Sequence, residues 1–195
     1  MAGTNPGGVF VGAPAQSKIG GAIRRAPLGT TVPDTATETL PVDYQSGGYV
    51  SNAGVTITPE YSTTGITEWG GAEVRKVLEA FNGTVAFAFI QLGKDEAEMI
   101  FGEDSVTETP ATSASGTQLK IAIGARLPDP GVWVFNLKDG KRAARVLLPN
   151  AQPVNASEIT LVANDAIALG TELACYPDED GNSIYIMTDD GVFSA

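Results

Sequence analysis

Residues 65–77 read GITEWGGAEVRKV, and the fold hangs on what the glycine pair at Gly70 and Gly71 is for. Followed closely by Arg75 and Lys76, the pair invites reading as a phosphate cradle. Spacing rules that out. A phosphate-binding loop needs G-x-x-x-x-G-K-[ST], and a dinucleotide fold needs G-x-G-x-x-G between strand and helix. Neither occurs in the chain, and Gly140-Lys141 lacks a glycine five residues upstream. The pair is turn chemistry, a turn leading into a strand.

The runs on either side support this. Upstream, Val55 and Ile57 alternate with Thr56 and Thr58 as in a half-buried strand, with Asn52-Ala53-Gly54 as a turn before it. Pro59 breaks the donor ladder, so a bend or an edge position is expected there. Downstream, 74–81 fits two periods. Val74, Val77, Leu78 and Phe81 share a helical face that Asn82-Gly83 would end, whereas Val77, Glu79 and Phe81 fit a strand. The next run, TVAFAFIQL, is plainly extended, with Val85, Phe87 and Phe89 alternating with small residues, and strand is the reading taken for 74–81.

A helix is expected near 95–101. Asp95, Glu96 and Glu98 suit the positive end of its dipole, Gly102 offers a stop, and Met99 and Ile100 would face the core. Residues 107–117 read as a polar loop. Strands are then expected in QLKIAIGARL, in GVWVFNLKDGKRAARVLLPN with a two-residue turn at Asp139-Gly140, in ASEITLVANDAIALGTELACYP and in NSIYIMTDDGVF. Many short strands, one short helix and no alternation of strand with helix predict a mainly β protein, a sandwich or partly closed barrel with one helix packed on it. Residues 1–47, rich in Gly, Pro, Thr and Ala, read as an arm or long loop, and 48–195 as one domain. Within the arm Val9, Phe10 and Val11 are apolar enough to add to a sheet edge, a neighbour's included.

Composition removes most chemistry. The chain of 195 residues contains no histidine, which eliminates Ser-His-Asp triads, Cys-His pairs and HExxH zinc sites. Its one cysteine, Cys175, forms no internal disulfide and reads as a small buried strand residue. A net charge of -11 argues against holding nucleic acid by phosphate neutralisation. No apolar run approaches the roughly 20 residues of a membrane span, and the opening lacks the pattern of a secretory signal. Asp178, Glu179, Asp180 and Asn182 tempt as a calcium loop, but the acid at its twelfth position would have to lie near Asp189 or Asp190 with a strand in between, and flanking helices are missing, so a solvated turn is expected. Trp69 and Trp133 are candidates for a sugar-stacking platform, although a Trp in a β pattern is more often core. No carboxylate pair stands out among the 23 acids as a hydrolytic couple.

The order of segments resembles a known family. GYVSNAGVTITPEYSTTGITEWGGAEVRKV, then TVAFAFIQL, then an acidic helix ending IFGEDSV, is similar to the major tail proteins of long-tailed phages, closest to those infecting actinobacteria. MAGTNPGGVFVGAP followed by GGAIRRAPLGTT looks like the family's opening, and the likeness is clearest over residues 1–106. The resemblance implies a small β-sandwich or half-barrel with a flanking helix, an extended N-terminal arm and long loops. It implies six subunits in a ring, rings stacked into a tube that carries DNA during ejection, and no enzyme activity or cofactor. Implied partners are further copies of the chain, a tape-measure protein, a tail terminator and distal tail proteins, in a virion assembled in the host cytoplasm, with DNA passing through unbound. Carried onto this chain, the clasping arm makes Val9, Phe10, Val11, Ile23, Arg24, Arg25 and Leu28 candidate contacts between subunits, and alternation offers Glu158 and Asp165 as bore-facing acids. The competing expectation is a non-enzymatic β-sandwich binding module, carbohydrate-binding or capsid-decorating, motivated by the two tryptophans.

Overall fold

The computed structural model describes residues 8–15, 21–157, 159 and 161–193. In chain order the strands are β1 (Ala13–Pro14), β2 (Ile23–Pro27), β3 (Gln45–Ser46), β4 (Val50–Thr67) and β5 (Glu73–Phe89). Helix α1 (Lys94–Phe101) and a 3-10 turn (Glu103–Ser105) follow, then β6 (Val106–Thr109), β7 (Gln118–Ile121), β8 (Gly131–Asp139), β9 (Arg142–Ala156), β10 (Leu169–Cys175) and β11 (Tyr185–Asp189).

The main sheet runs β3-β2-β8-β9-β10-β5-β4, with β1 also on β8 and β11 also on β9, and β6 and β7 form a separate hairpin. All pairings are antiparallel. β9 is the spine. One edge carries β8, while the other carries β11 along Ala143–Leu147 and then β10 from Ala151 onward. The sheet therefore forks around β9 and curls without closing, as an open half-barrel.

Alternation on β8 explains the two layers. Trp133 and Phe135 face the larger core, made with Val85, Phe87 and Phe89 of β5, Leu148 of β9, Leu173 of β10 and Met99 and Ile100 of α1. Val132 and Val134 face the opposite side, under Tyr44, Ala26 and Leu147. Phe87 is central, its ring centroid 5.2 Å from Phe89, 5.6 Å from Phe135 and 5.8 Å from Trp133. Tilted and edge-on pairs of this kind add to simple area burial. Helix α1 lies where expected: Asp95 and Glu96 fill its first turn, and Gly102, at φ +85°, ends it by donating its N–H to Glu98 O at 2.9 Å.

Several local expectations are corrected. Asn52-Ala53-Gly54 is no turn before a strand; it is a register shift between Val50 and Val55 inside β4, with Gly54 at φ +72°. Pro59 makes no bend, and β4 tolerates it as an edge strand whose one neighbour is β5. The β8–β9 turn is centred one residue later than expected: Asp139 pairs with Arg142, so Gly140 and Lys141 form the turn, with Gly140 at φ +62°. A two-residue turn with positive φ at its first central position alone requires glycine there. Residues 107–109 belong to β6 and only the rest of that stretch is loop, the extended run expected from Gln118 stops at Ile121, and 161–168 contains no strand.

The expected arm is partly built into the body. β2 pairs with β8 through Ile23↔Phe135 to Pro27↔Gly131, and Tyr44 is buried. Arg145 explains how 31–44 is held. Buried in β9, it donates to Asn136 Oδ1 (2.9 Å), Thr35 O (2.8 Å) and Glu38 O (2.9 Å). Burial pushes its guanidinium pKa down, against the opposing field of Glu38. No helix among the described residues is long and apolar enough to cross a membrane.

Candidate assembly surface

β4 and β5 are 18 and 17 residues long, far longer than the body they leave. The last pair β5 makes with β10 is Gly83↔Cys175. Beyond it the two strands continue as a lone ribbon to a turn at 68–72, closed by Glu68 N–H to Ala72 O and Gly71 N–H to Glu68 O, both 2.9 Å. Gly71 sits at φ +87°, so the glycine pair serves the turn as its spacing implied. At about 3.3 Å per residue, the unaccompanied stretch from Glu60 to Thr67 reaches roughly 25 Å.

Register sorts the ribbon into two faces. Ile57↔Val85, Pro59↔Gly83, Tyr61↔Phe81 and Thr63↔Leu78 share one. Thr58↔Thr84, Glu60↔Asn82 and Ser62↔Ala80 share the other, where Thr64 Oγ1 also donates to Glu79. The first face is apolar near the body, and the second is rich there in hydroxyls, amides and carboxylates, with Val77 and Ile66 joining it further out. Ile57, Pro59, Tyr61, Leu78 and Phe81 form one wall of a cleft of about 600 Å³, with Pro177, Ile184 and Ile186 opposite. Outward from the cleft Tyr61, Ile66, Val74 and Leu78 are exposed. A two-stranded ribbon in water is marginal alone. Among the described residues no strand pairs with the outer edge of β4, which leaves it a template for another strand.

The other singled-out residues scatter. Val9 and Val11 are exposed beside the β8–β9 turn, where Arg142 Nη2 donates to Val9 O (2.8 Å) and Val11 N–H donates to Asp139 Oδ2 (3.2 Å). Phe10 is half-buried under the Arg142 guanidinium, 5.4 Å from its ring centroid. Here the segment adds to its own chain's β8, through Ala13↔Lys138 and Pro14↔Leu137. Ile23, at 1% exposure, lies inside the subunit's own core and is unavailable to another chain. Arg24 is half-buried on β2. Arg25, also half-buried, lies over the Trp133 ring at 5.8 Å and donates to Asp129 O (2.9 Å), with burial lowering its pKa. Leu28 is exposed beyond β2. Asp165 is exposed, its Oδ1 accepting from Ala166 N–H at 2.8 Å, and Glu158 lies outside the described residues.

The tryptophans part company. Trp133 is fully buried, which removes it from any sugar platform, while Trp69 stands free at the ribbon tip against the expectation of a core residue. Asp178 is occupied locally: Oδ2 accepts from Tyr185 Oη (2.6 Å) and Oδ1 accepts the N–H groups of Asp180 (3.0 Å) and Asn182 (2.9 Å), which lowers its pKa. That is an acid closing a turn. Among the described residues no cluster of three or more metal-ligating side chains occurs. Sequence reasoning singled out Trp69 and the 74–81 strand without joining them into one exposed ribbon. The signal was available in two extended runs either side of Gly70-Gly71, both longer than a sandwich strand needs.

A family model described as phage tail tube protein matches residues 5–194, and the chain belongs to that family. It is a structural, non-enzymatic component of the phage tail. No curated protein matches it. Among solved structures it is similar to the anti-feeding prophage cap, the AFP tube terminating cap, at 11% identity over 93% of this chain and 94% of that one, with a TM-score of 0.47.

Proposed function

We propose that the chain assembles into hexameric rings that stack into the tail tube, the conduit through which DNA is ejected into an actinobacterial host. The observation that carries this reading is the β4–β5 ribbon, with its unpaired edge and uncovered apolar face. Pairing that edge with the next subunit satisfies its backbone groups and covers Tyr61, Leu78 and Phe81. The polar face of Thr58, Glu60, Ser62 and Glu79 then turns to the bore. Carboxylates and hydroxyls there offer phosphate nothing to pair with. Screening confines the repulsion to about 8 Å at physiological salt, enough for DNA in a narrow channel. Asp165 and Glu158 remain further candidates for bore acids. Val9, Phe10, Val11, Arg24, Arg25 and Leu28 are assigned to contacts between rings, and the tube would meet a tape-measure protein inside and terminator and distal tail proteins at its ends.

Electron microscopy of concentrated purified protein tests this. Rings or tubes of uniform width with six-fold end views are expected. Protein that stays monomeric at every concentration, salt and temperature tried, with its fold intact, would sink the reading.

A further inference from the structure

Strand β8 joins two unlike ends of the molecule. Its eight steps from Gly131 to Asp139 span about 26 Å. At the Asp139 end, two segments distant in sequence converge on one turn. Val9 and Val11 are held there by Arg142 and Asp139. Gly191 packs so closely on the turn that a Cβ would lie 2.6 Å from Lys141 O, which sets Val192 and Phe193 alongside. Exposures of 66% for Val9, 61% for Val11, 77% for Val192 and 91% for Phe193 make an apolar knob, too concentrated to be scattered surface residues. Exposed Lys138 and Lys141 flank it. The carboxylates nearby are engaged: Asp139 with Arg142 and Val11, Asp189 with Gly191 N–H (2.7 Å) and Asp190 with Val192 N–H (2.9 Å).

At the Gly131 end the arrangement is reversed in shape and sign. A hollow of about 400 Å³ is lined by Leu28, Leu127 and Pro130, with Glu103, Asp104 and Asp129 around it. Leu28 and Leu127 are more than half exposed, at 52% and 56%. Asp104 pairs with Arg126 at 2.5 Å, and Arg25 lies near Glu103 and Asp129. Among the described residues, neither Glu103 nor Asp129 at this end, nor Lys138 or Lys141 at the other, makes an ion pair.

We propose that the knob at the β8–β9 turn seats in the hollow at the start of β8 of a second copy, head to tail, with Lys138 and Lys141 of one subunit facing Glu103 and Asp129 of the next. This rests on the tube reading and adds to it which surfaces meet between successive rings. A head-to-tail contact repeats without limit along an axis, as a tube requires. The apolar contacts supply burial, and the charges set register and reject a knob-to-knob approach.

Charge swaps test it. Lys138→Glu with Lys141→Glu, and separately Glu103→Lys with Asp129→Lys, should each raise the protein concentration needed for tubes by about tenfold or more, the equivalent of ~1.4 kcal/mol. All four changes together should bring it back to near the parent value. Phe193→Ser should raise the threshold at every salt concentration, whereas the effect of the charge pairs should shrink in high salt. All five positions are surface residues, so unchanged thermal unfolding of the isolated subunit is the control. Tubes unaffected by the single-end swaps would assign these surfaces to another tail component and overturn the inference, as would a fourfold variant no better than its halves. A parent protein that never forms tubes would defeat the tube reading itself, and this inference with it.

Discussion

Tyr61 and Phe81 face each other across β4 and β5 with ring centroids 5.1 Å apart and planes inclined at 56°, on a ribbon that no third strand flanks among the described residues. Tyr61 is 65% exposed, so the pair stiffens the base of the ribbon while leaving most of its surface to another molecule. Replacing Tyr61 by Ser should change subunit stability by less than about 1 kcal/mol, since little core is lost. Assembly should fall much further. Denaturant unfolding beside light scattering separates the two effects, and equal losses in both would show that the ribbon serves the monomer alone.

Phe87 is the opposite case. Its ring touches three other aromatics in the closed core. Phe87→Ala should cost about 3–5 kcal/mol, transfer plus cavity. A shift of under 1 kcal/mol in the unfolding midpoint, at unchanged slope, would mean the core collapses around the gap.

Arg145 holds 31–44 to the sheet through the backbone carbonyls of Thr35 and Glu38, while the Asn136 amide of β8 orients its guanidinium. Arg145→Met keeps the stem but leaves those acceptors unpaired, at about 1–3 kcal/mol each where water cannot reach them. Amide exchange in 33–44 should accelerate strongly while Phe87 and its strand stay protected. Uniform acceleration across the chain would instead mark Arg145 as part of the global core.

Burial pushes the Cys175 thiol up from 9.0 to about 12. A folded-state pKa above the unfolded one means the native state keeps its proton longer. That contribution is fully present below about pH 9 and is lost as pH rises toward 12. Thiol reagents at pH 8 should therefore label unfolded protein rapidly and native protein slowly. Equal rates would show that β10 opens readily.

Gly71, at φ +87° in the ribbon turn, meets no neighbour that a Cβ would strike, so Gly71→Ala tests backbone strain alone. A loss of about 1–2 kcal/mol in ribbon stability is expected, read as faster exchange of the amides at Glu68 and at position 71, the two N–H groups that close the turn. Unchanged exchange would mean the turn relaxes to another form.

The sequence announces elements whose cause is local. Val55 to Ile57 and Val85 to Phe89 alternate because each strand has one buried face, and α1 declares itself through its acids and Gly102. Where two structures make the same local demand, the sequence is silent. Gly54 needs a positive φ in a turn or in a bulge alike, and Asp139-Gly140 differs from Gly140-Lys141 by a one-residue register set by β8 against β9. Long-range partners are hidden too. Ile23 looks like part of a loose arm until Phe135 is placed beside it, and 31–44 looks unstructured until Arg145 reaches across. Trp69 misleads because average burial says nothing about a residue at the end of a ribbon.

That last residue has a practical use. The chain has two tryptophans, Trp133 fully buried and Trp69 fully solvated, so its emission contains one fixed and one environment-sensitive contribution. A quencher dissolved in the buffer will reach Trp69 and spare Trp133. Subunits closing around the ribbon tip would blue-shift the quenchable fraction and shield it. The protein thus carries its own optical gauge of polymerisation, readable in a cuvette without any attached dye.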